Sequence, residues 1–376
     1  MATRRRSIAP GIPLVFEDRE LFEKVRKKGA QAICFFNNKG GVGKTTLVAN
    51  IAAELSLNFG ARILVIDRDP QCNLSQYVLG QEESITTYSG SLQDSIYSVI
   101  RPISLGKGYG ERLPTRHSET FGFDIIIGDP RLALQEDLLA GDWRDAKGGG
   151  MRGIRTTYIF ADVVHKAKEM GYDFIFFDMG PSLGAINRSI LLAMDFFIVP
   201  MTIDIFSVWA IKNIGATVGI WQKELKTGLT LAEDRSEIPE VDQQRDLRFL
   251  GYVTQQHKER TDVDKIEVEQ LEVEEDPEIS EGRNRRIVQA YQDISAGFPN
   301  EIRTSLGGIL PHEIANPHLG DIRHLGSLAP KSQSQHVPMI SVRGTGSYTK
   351  MRKQAREIYR DIANRFLSNL QQAQER

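Results

Sequence analysis

Residues 40–46 read Gly-Gly-Val-Gly-Lys-Thr-Thr, and what flanks them limits the fold more than any other feature of the chain. Before them, Ala-Ile-Cys-Phe-Phe at 32–36 is a short apolar run of the kind that forms a strand buried on both faces. After them, Leu47, Ile51 and Leu55, with Val48 and Ala52, fall on one helical face over 47–58, and Gly60 is placed to end that helix. A second apolar run, Arg-Ile-Leu-Val-Ile at 62–66, then stops at Asp67. Strand, glycine turn, helix and strand in that order make a βαβ unit, so the sheet is parallel here. The expected fold class is α/β: a doubly wound, mostly parallel sheet.

The turn also has a chemistry. Glycines let the backbone wrap closely around phosphate oxygens, and the helix that follows presents free N–H groups and the positive end of its dipole. Lys44 is placed to reach the β- and γ-phosphates, and the Thr45 hydroxyl to meet Mg²⁺. Gly40, Gly41, Val42, Gly43, Lys44, Thr45 and Thr46 are therefore the expected nucleotide-binding residues, with ATP and Mg²⁺ the expected cofactors.

Two acidic segments extend this reading. Asp67-Arg-Asp-Pro-Gln71 puts carboxylates at i and i+2 just beyond a strand end, where they can address metal-bound water and an attacking water. Phe174-Ile-Phe-Phe-Asp178 is an apolar strand that delivers a carboxylate at its C-terminal end, the edge where open α/β sheets bind ligands. Asp178 is expected to hold a Mg²⁺-bound water. In the loop that follows, Gly180 can offer its N–H to the γ-phosphate.

Lys39-Gly-Gly-Val-Gly-Lys-Thr-Thr46 has the form of the deviant Walker A motif, and with Asp67–Gln71 and the Asp178-Met-Gly-Pro-Ser-Leu-Gly184 segment it resembles the ParA/MinD family of P-loop ATPases. The likeness covers roughly 31–80, 121–140, 172–215 and 247–256, plus a C-terminal helix. It implies that Lys39 reaches across a dimer to the partner's nucleotide. It also implies that Asp69 orients the attacking water while Asp67 supports the metal with Thr45 and Asp178. Catalysis is thus assigned to Lys39, Lys44 and Asp69. Gly180 stands where the family often has Pro, and Gln-Gln-His-Lys at 255–258 departs from the family's base-binding stretch. Residues 311–317 are a weak candidate for the base contacts.

Residues 1–30 read as a lead-in with a charged helix at 18–28, and 31–376 as one ATPase domain. Insertions are expected near 81–165 and 216–300; within the second, 223–246 reads as polar and irregular and 262–281 as strongly acidic. Further strands are expected at 123–127, 172–177, 196–200 and 247–254, and helices at 132–139, 160–170 and 185–193. The final helix, 350–370, has an apolar stripe (Ala355, Ile358, Tyr359, Ile362, Phe366) and a basic remainder.

Net charge is -2, so no basic field covers the whole protein and any nucleic-acid contact must be local. Lys350, Arg352, Lys353, Arg356 and Arg360 are the expected patch for nonspecific DNA phosphates. The C-terminus Gln371–Arg376 is polar, which argues against a membrane tip. Two cysteines, no apolar run of transmembrane length and no secretory h-region fit a cytoplasmic protein. The expected partners are a second copy in the presence of ATP, DNA, and a protein activator or cargo adaptor. The competing readings are a regulatory or positioning ATPase acting on a protein without DNA, a P-loop ligase, and a reductase resembling the nitrogenase iron protein. Cys34 lies in the first strand and Cys72 in the segment after Asp69, so neither occupies the position the last of these requires.

Overall fold

The computed structural model describes residues 12–89, 94–234, 246–255 and 296–375. The acidic stretch 262–281 and most of the second insertion lie outside the described residues. Strands β1 (Gln31–Phe35), β2 (Ile63–Asp67), β3 (Arg116–His117), β4 (Asp124–Ile126), β5 (Phe174–Asp178), β6 (Phe196–Thr202), β7 (Arg248–Gln255) and β8 (His318–Ile322) form one sheet in the order β3-β4-β2-β5-β1-β6-β7-β8. Every pairing is parallel except β3 with β4.

Why these strands are continuously apolar is visible in their packing. Ile33, Phe35, Ile63, Val65, Phe174, Phe176, Phe196 and Ile198 face one core, while Ala32, Cys34, Leu64, Ile66, Ile175, Phe177, Phe197 and Val199 face the other. The period of two thus feeds two layers, and these strands keep no polar face. The first layer is covered by α1 (Phe16–Arg26), α2 (Lys44–Glu54), α3 (Asn73–Leu79) and the long C-terminal helix. The opposite layer is covered by α5 (Ile96–Ser104), α6 (Glu136–Lys147), α7 (Met151–Thr157), α8 (Ile159–Glu169), α9 (Ala185–Ala193) and α10 (Ile205–Leu231). Helix α4 (Gln81–Ser89), which buries no residue, follows α3. Helices α11 (Leu328–Gln335) and α12 (Ser347–Ala373) complete the labelled elements.

Several expectations change. Helix α2 gives way to a π-helical turn at Leu55–Phe59, which Gly60 ends in the left-handed region at φ 74°. Residues 223–231, read as irregular, continue α10, because Trp221, Leu225, Gly228 and Leu229 return to one buried face. The lead-in helix α1 is packed into the body: Phe22 meets Phe59 at 6.1 Å and Phe174 at 6.4 Å between ring centroids. Helix α12 is anchored by Phe366, whose ring meets Phe174 at 5.5 Å and Phe176 at 5.9 Å.

The basic patch on α12 does not survive intact. Arg360 is 6% exposed, and its Nε donates to Glu54 at 2.7 Å while Nη1 stands 3.5 Å from Asp18. Its Nη2 also donates to the Ile12 carbonyl at 2.7 Å. The sequence expectation of a DNA contact at Arg360 is therefore wrong: α12 lies against α1 and α2 with part of its charged side inward. Arg352 and Arg356 are half-buried and donate to the carbonyls of Val342 and Ile340. Lys350 and Lys353 remain exposed.

Candidate functional site

The site lies at the C-terminal edge of the sheet, where β1 sits between β5 and β6 and the chain departs to both sides. That is the crevice such sheets leave for a ligand. The 37–43 turn leaves β1 and enters α2 through Gly41 at φ 72° and Gly43 at φ 68°, both left-handed. At Gly43 the restriction is also spatial, because a Cβ would collide with the side chain of Gln255, whose Nε2 donates to the Gly43 carbonyl at 3.2 Å. Asn37 fixes the start of the turn: Nδ2 donates to the Pro200 carbonyl at 2.8 Å, and Oδ1 accepts from the Lys39 N–H at 2.9 Å. Residues 40–46 line a cavity of about 1540 Å³. Its opposite walls come from 69–73, from Tyr77 and Tyr88, and from Pro330, Gln333, Ser334 and His336. Residues 311–317, the sequence candidates for the base contacts, do not line it. The volume exceeds the roughly 300–1,000 Å³ usual for one small ligand.

Lys44 is buried, and its Nζ donates to the carbonyls of Asn37 and Lys39, each at 3.0 Å. Burial pushes its pKa down, against the pull of Asp178 and Asp69. Asp67 and Asp178 are set by strand register: Asp67 at the end of β2 is paired with Asp178 at the end of β5. Both are buried. Asp67 Oδ2 accepts from the Ser75 N–H at 2.8 Å and the Ser75 hydroxyl at 2.5 Å, but Oδ1 has no hydrogen-bond partner. Neither oxygen of Asp178 has one. Burial pushes Asp67 up to about 7, with Ser75 opposing and Asp69 adding to the shift. Burial, then Asp67, pushes Asp178 up to about 8, with nearby Thr45 opposing.

Buried carboxylate oxygens without partners are costly unless something cationic meets them. Two such groups beside a threonine hydroxyl and a lysine fit Mg²⁺, which binds one or two carboxylates and completes its shell with phosphate oxygens and water. Among the described residues no group of three His, Cys, Asp or Glu could cage a metal without such help. Cys34 and Cys72 are buried, free thiols, and burial pushes Cys72 up to about 12.

Asp69 stands at the cavity wall, where its Oδ1 accepts from the Gln71 N–H at 2.9 Å. Gly180 is held through its carbonyl, which accepts from Asn187 Nδ2 at 2.9 Å; a Cβ added at Gly180 would lie 3.5 Å from Asp69 Cγ. Lys39 does not point to open solvent. Its Nζ donates to the Thr202 hydroxyl at 2.9 Å and pairs with Asp204, the N-cap of α10. Despite partial burial, the bond from Lys39 holds Asp204 below the usual carboxylate range. Directly beyond that cap, Ile205, Phe206 and Trp209 are 51%, 71% and 58% exposed. Asn37, Asn187, Asp204 and these three apolar side chains escaped the sequence reading. For the last three the signal was present, since a cluster of large apolar residues just past a strand end is unusual on a surface.

The family described as "AAA domain" matches residues 30–231, more than half of the chain and all of the site elements through α10. The chain belongs to the ParA-like P-loop ATPases. Similar proteins include the chromosome partitioning protein ParA of Myxococcus xanthus, 27% identical over 53% of this chain and 62% of that protein. The sporulation initiation inhibitor protein Soj of Bacillus subtilis is 27% identical over 53% of this chain and 69% of that protein. Among solved structures, protein DIP2308 from Corynebacterium diphtheriae is similar with a TM-score of 0.61 and 29% identity, covering 81% of this chain and 97% of that one. The ATP complex of a substituted Cyanothece McdA shares the fold, with a TM-score of 0.51 at 14% identity over 88% of this chain and 97% of that one. This ParA-like chain spans 62% of the Myxococcus protein and 50% of the Escherichia coli protein IncC, so its likeness to those relatives is partial.

Proposed function

We propose that this ParA-like chain binds ATP with Mg²⁺, dimerises in that state, and separates when the γ-phosphate is hydrolysed. The observation that carries the reading is the pair of buried carboxylates, Asp67 and Asp178, with oxygens unsatisfied beside Thr45 and Lys44. In this reading Lys44 and the backbone of 40–46 hold the phosphates, and Thr45, Asp67 and Asp178 hold Mg²⁺. The metal supplies charge neutralisation when bound. Asp69 orients the attacking water from the cavity wall, and Gly180 senses the γ-phosphate through its N–H.

The dimer draws on Lys39 and on what surrounds it. To reach a partner's nucleotide, Lys39 would exchange Asp204 and Thr202 for phosphate oxygens, so ATP competes with a contact inside the same chain. The exposed Ile205, Phe206 and Trp209 beside it offer apolar area for the second copy to bury. The partitioning relatives favour nonspecific DNA as the surface held by the dimer, through Lys350 and Lys353 with the outer parts of Arg352 and Arg356. The inward turn of Arg360 weakens that patch and favours a second reading, in which a protein cargo or adaptor is held instead.

The test is DNA binding and oligomeric state of Asp69→Ala with ATP and with ADP, across a salt series. The variant is expected to bind ATP, remain dimeric, and hold DNA only with ATP and less tightly as salt rises. A dimer without DNA affinity would select the protein-cargo reading. Normal turnover by the variant would remove Asp69 from the reaction.

A further inference from the structure

The first turn of α9 lacks a cap of its own, since Gly184 precedes it and offers no side chain. The missing acceptor comes from elsewhere. Glu136, the first residue of α6, takes the Ala185 N–H on Oε1 and the Ile186 N–H on Oε2, the latter at 3.3 Å. A Cβ at Gly184 would collide with that carboxylate, so the glycine is what allows the approach. Helix α9 continues the loop that carries Asp178 and Gly180, and Asn187 in its first turn holds the carbonyls of Gly180 and Ser182. Whatever fixes the start of α9 therefore fixes that loop.

That loop also meets the 67–71 segment. Arg68, between Asp67 and Asp69, is 3% exposed, and its Nε has no hydrogen-bond partner. The charges around it are Glu136, Asp69 and Asp67. Its backbone N–H donates to the Asp178 carbonyl at 3.1 Å, and a Cβ at Gly180 would lie 3.4 Å from its Nη1. Glu136 sits on a well-anchored helix: α6 packs on α9 and α10 through Arg188, whose guanidinium lies 4.4 Å from the Trp143 ring and 5.7 Å from the Trp221 ring.

We propose that Glu136 is a positioning residue for the 178–184 segment, holding the start of α9 by hydrogen bonds, so that hydrolysis depends on it and nucleotide binding does not. The inference rests on the ATPase reading above. It places the start of α6 in support of the segment that the ATPase reading sets against the γ-phosphate. Small displacements of reacting groups lower rates steeply while leaving phosphate and metal contacts intact.

The test compares kcat, KM for ATP and melting temperature in wild type, Glu136→Ala and Glu136→Gln, with Lys44→Ala as the binding control. Glu136→Ala is expected to lower kcat about tenfold or more, with KM within about threefold. Its melting temperature is expected to fall by about 1–2 °C, the effect of losing a cap of about 1 kcal/mol in a chain of this size. Glu136→Gln keeps an acceptor for the α9 N–H groups and loses the charge, so its kcat is expected between those of Ala and wild type. An unchanged kcat in Glu136→Ala overturns the inference. So does a joint fall of kcat, ATP affinity and melting temperature in which Gln is no better than Ala, since that is a structural cap alone. Wild-type protein that binds ATP but never hydrolyses it would overturn the ATPase reading itself, and that control is read before any variant.

Discussion

At the scale of single residues, the molecule keeps several charges where water cannot reach them, and each has a different reason. Asp67 and Asp178 are buried at the mouth of the phosphate turn, with oxygens left without hydrogen-bond partners, which the proposed function gives to Mg²⁺. Arg360 is buried for the fold: it joins α12 to Glu54 on α2, to Asp18 on α1 and to the chain at Ile12. Removing one member of a buried pair strands the other, at a cost of roughly 3–5 kcal/mol. Arg360→Ala is therefore expected to lose about that much stability at pH 8, measured by urea unfolding. The sign of its pH dependence follows from Glu54, which burial raises above its ordinary 4.5 even with Arg360 present. A carboxyl raised in the folded state costs stability as pH climbs above the unfolded value, and without Arg360 that rise is larger. The deficit of Arg360→Ala is expected to shrink between pH 8 and pH 5, as Glu54 takes up a proton. A deficit independent of pH would mean that the arginine acts through packing and its carbonyl bonds alone. The same residue shows why the sequence misled: helical periodicity gives a side, but not what covers that side.

At the scale of elements, the phosphate turn and the two acidic strand ends were legible because their chemistry is local. Glycine spacing, a lysine and a threonine are contiguous at 40–46, and each carboxylate ends an apolar run. What surrounds them was not legible, because it is assembled across long separations. Asp204 comes to Lys39 from 165 residues away, and Glu136 reaches Ala185 from 49. No local pattern announces such pairs. Helix α10 was missed for another reason: no helix was expected over 205–222, and Lys223, Glu224 and Lys226 obscured an apolar face that Trp221, Leu225 and Leu229 continue at helical spacing. The start of the same helix bears a prediction. If Phe206 and Trp209 cover the second copy, Phe206→Ser with Trp209→Ser is expected to weaken the ATP-dependent dimer by about tenfold or more in sedimentation, with ATP affinity of the monomer unchanged. Equal dimer strength would assign that apolar patch to another partner.

At the scale of the whole molecule, the sheet order does the organising. Placing β1 between β5 and β6 brings three loops to one edge: the phosphate turn, the 178–184 segment and the Thr202–Asp204 corner that holds Lys39. Placing β5 beside β2 sets Asp178 against Asp67. In the proposed cycle, binding, hydrolysis and dimerisation thus share a crevice. No helix among the described residues is long and apolar enough to cross a membrane. The claim on which all of this depends is that 40–46 holds ATP with Mg²⁺ through Lys44. Calorimetric titration of wild type and Lys44→Ala with ATP, each with Mg²⁺ and with a chelator, tests it directly. The account predicts Mg²⁺-dependent binding by wild type and a loss of about a hundredfold or more in Lys44→Ala, as removal of a buried phosphate-binding charge implies. Equal affinity in the two proteins, or no binding by wild type, would contradict it.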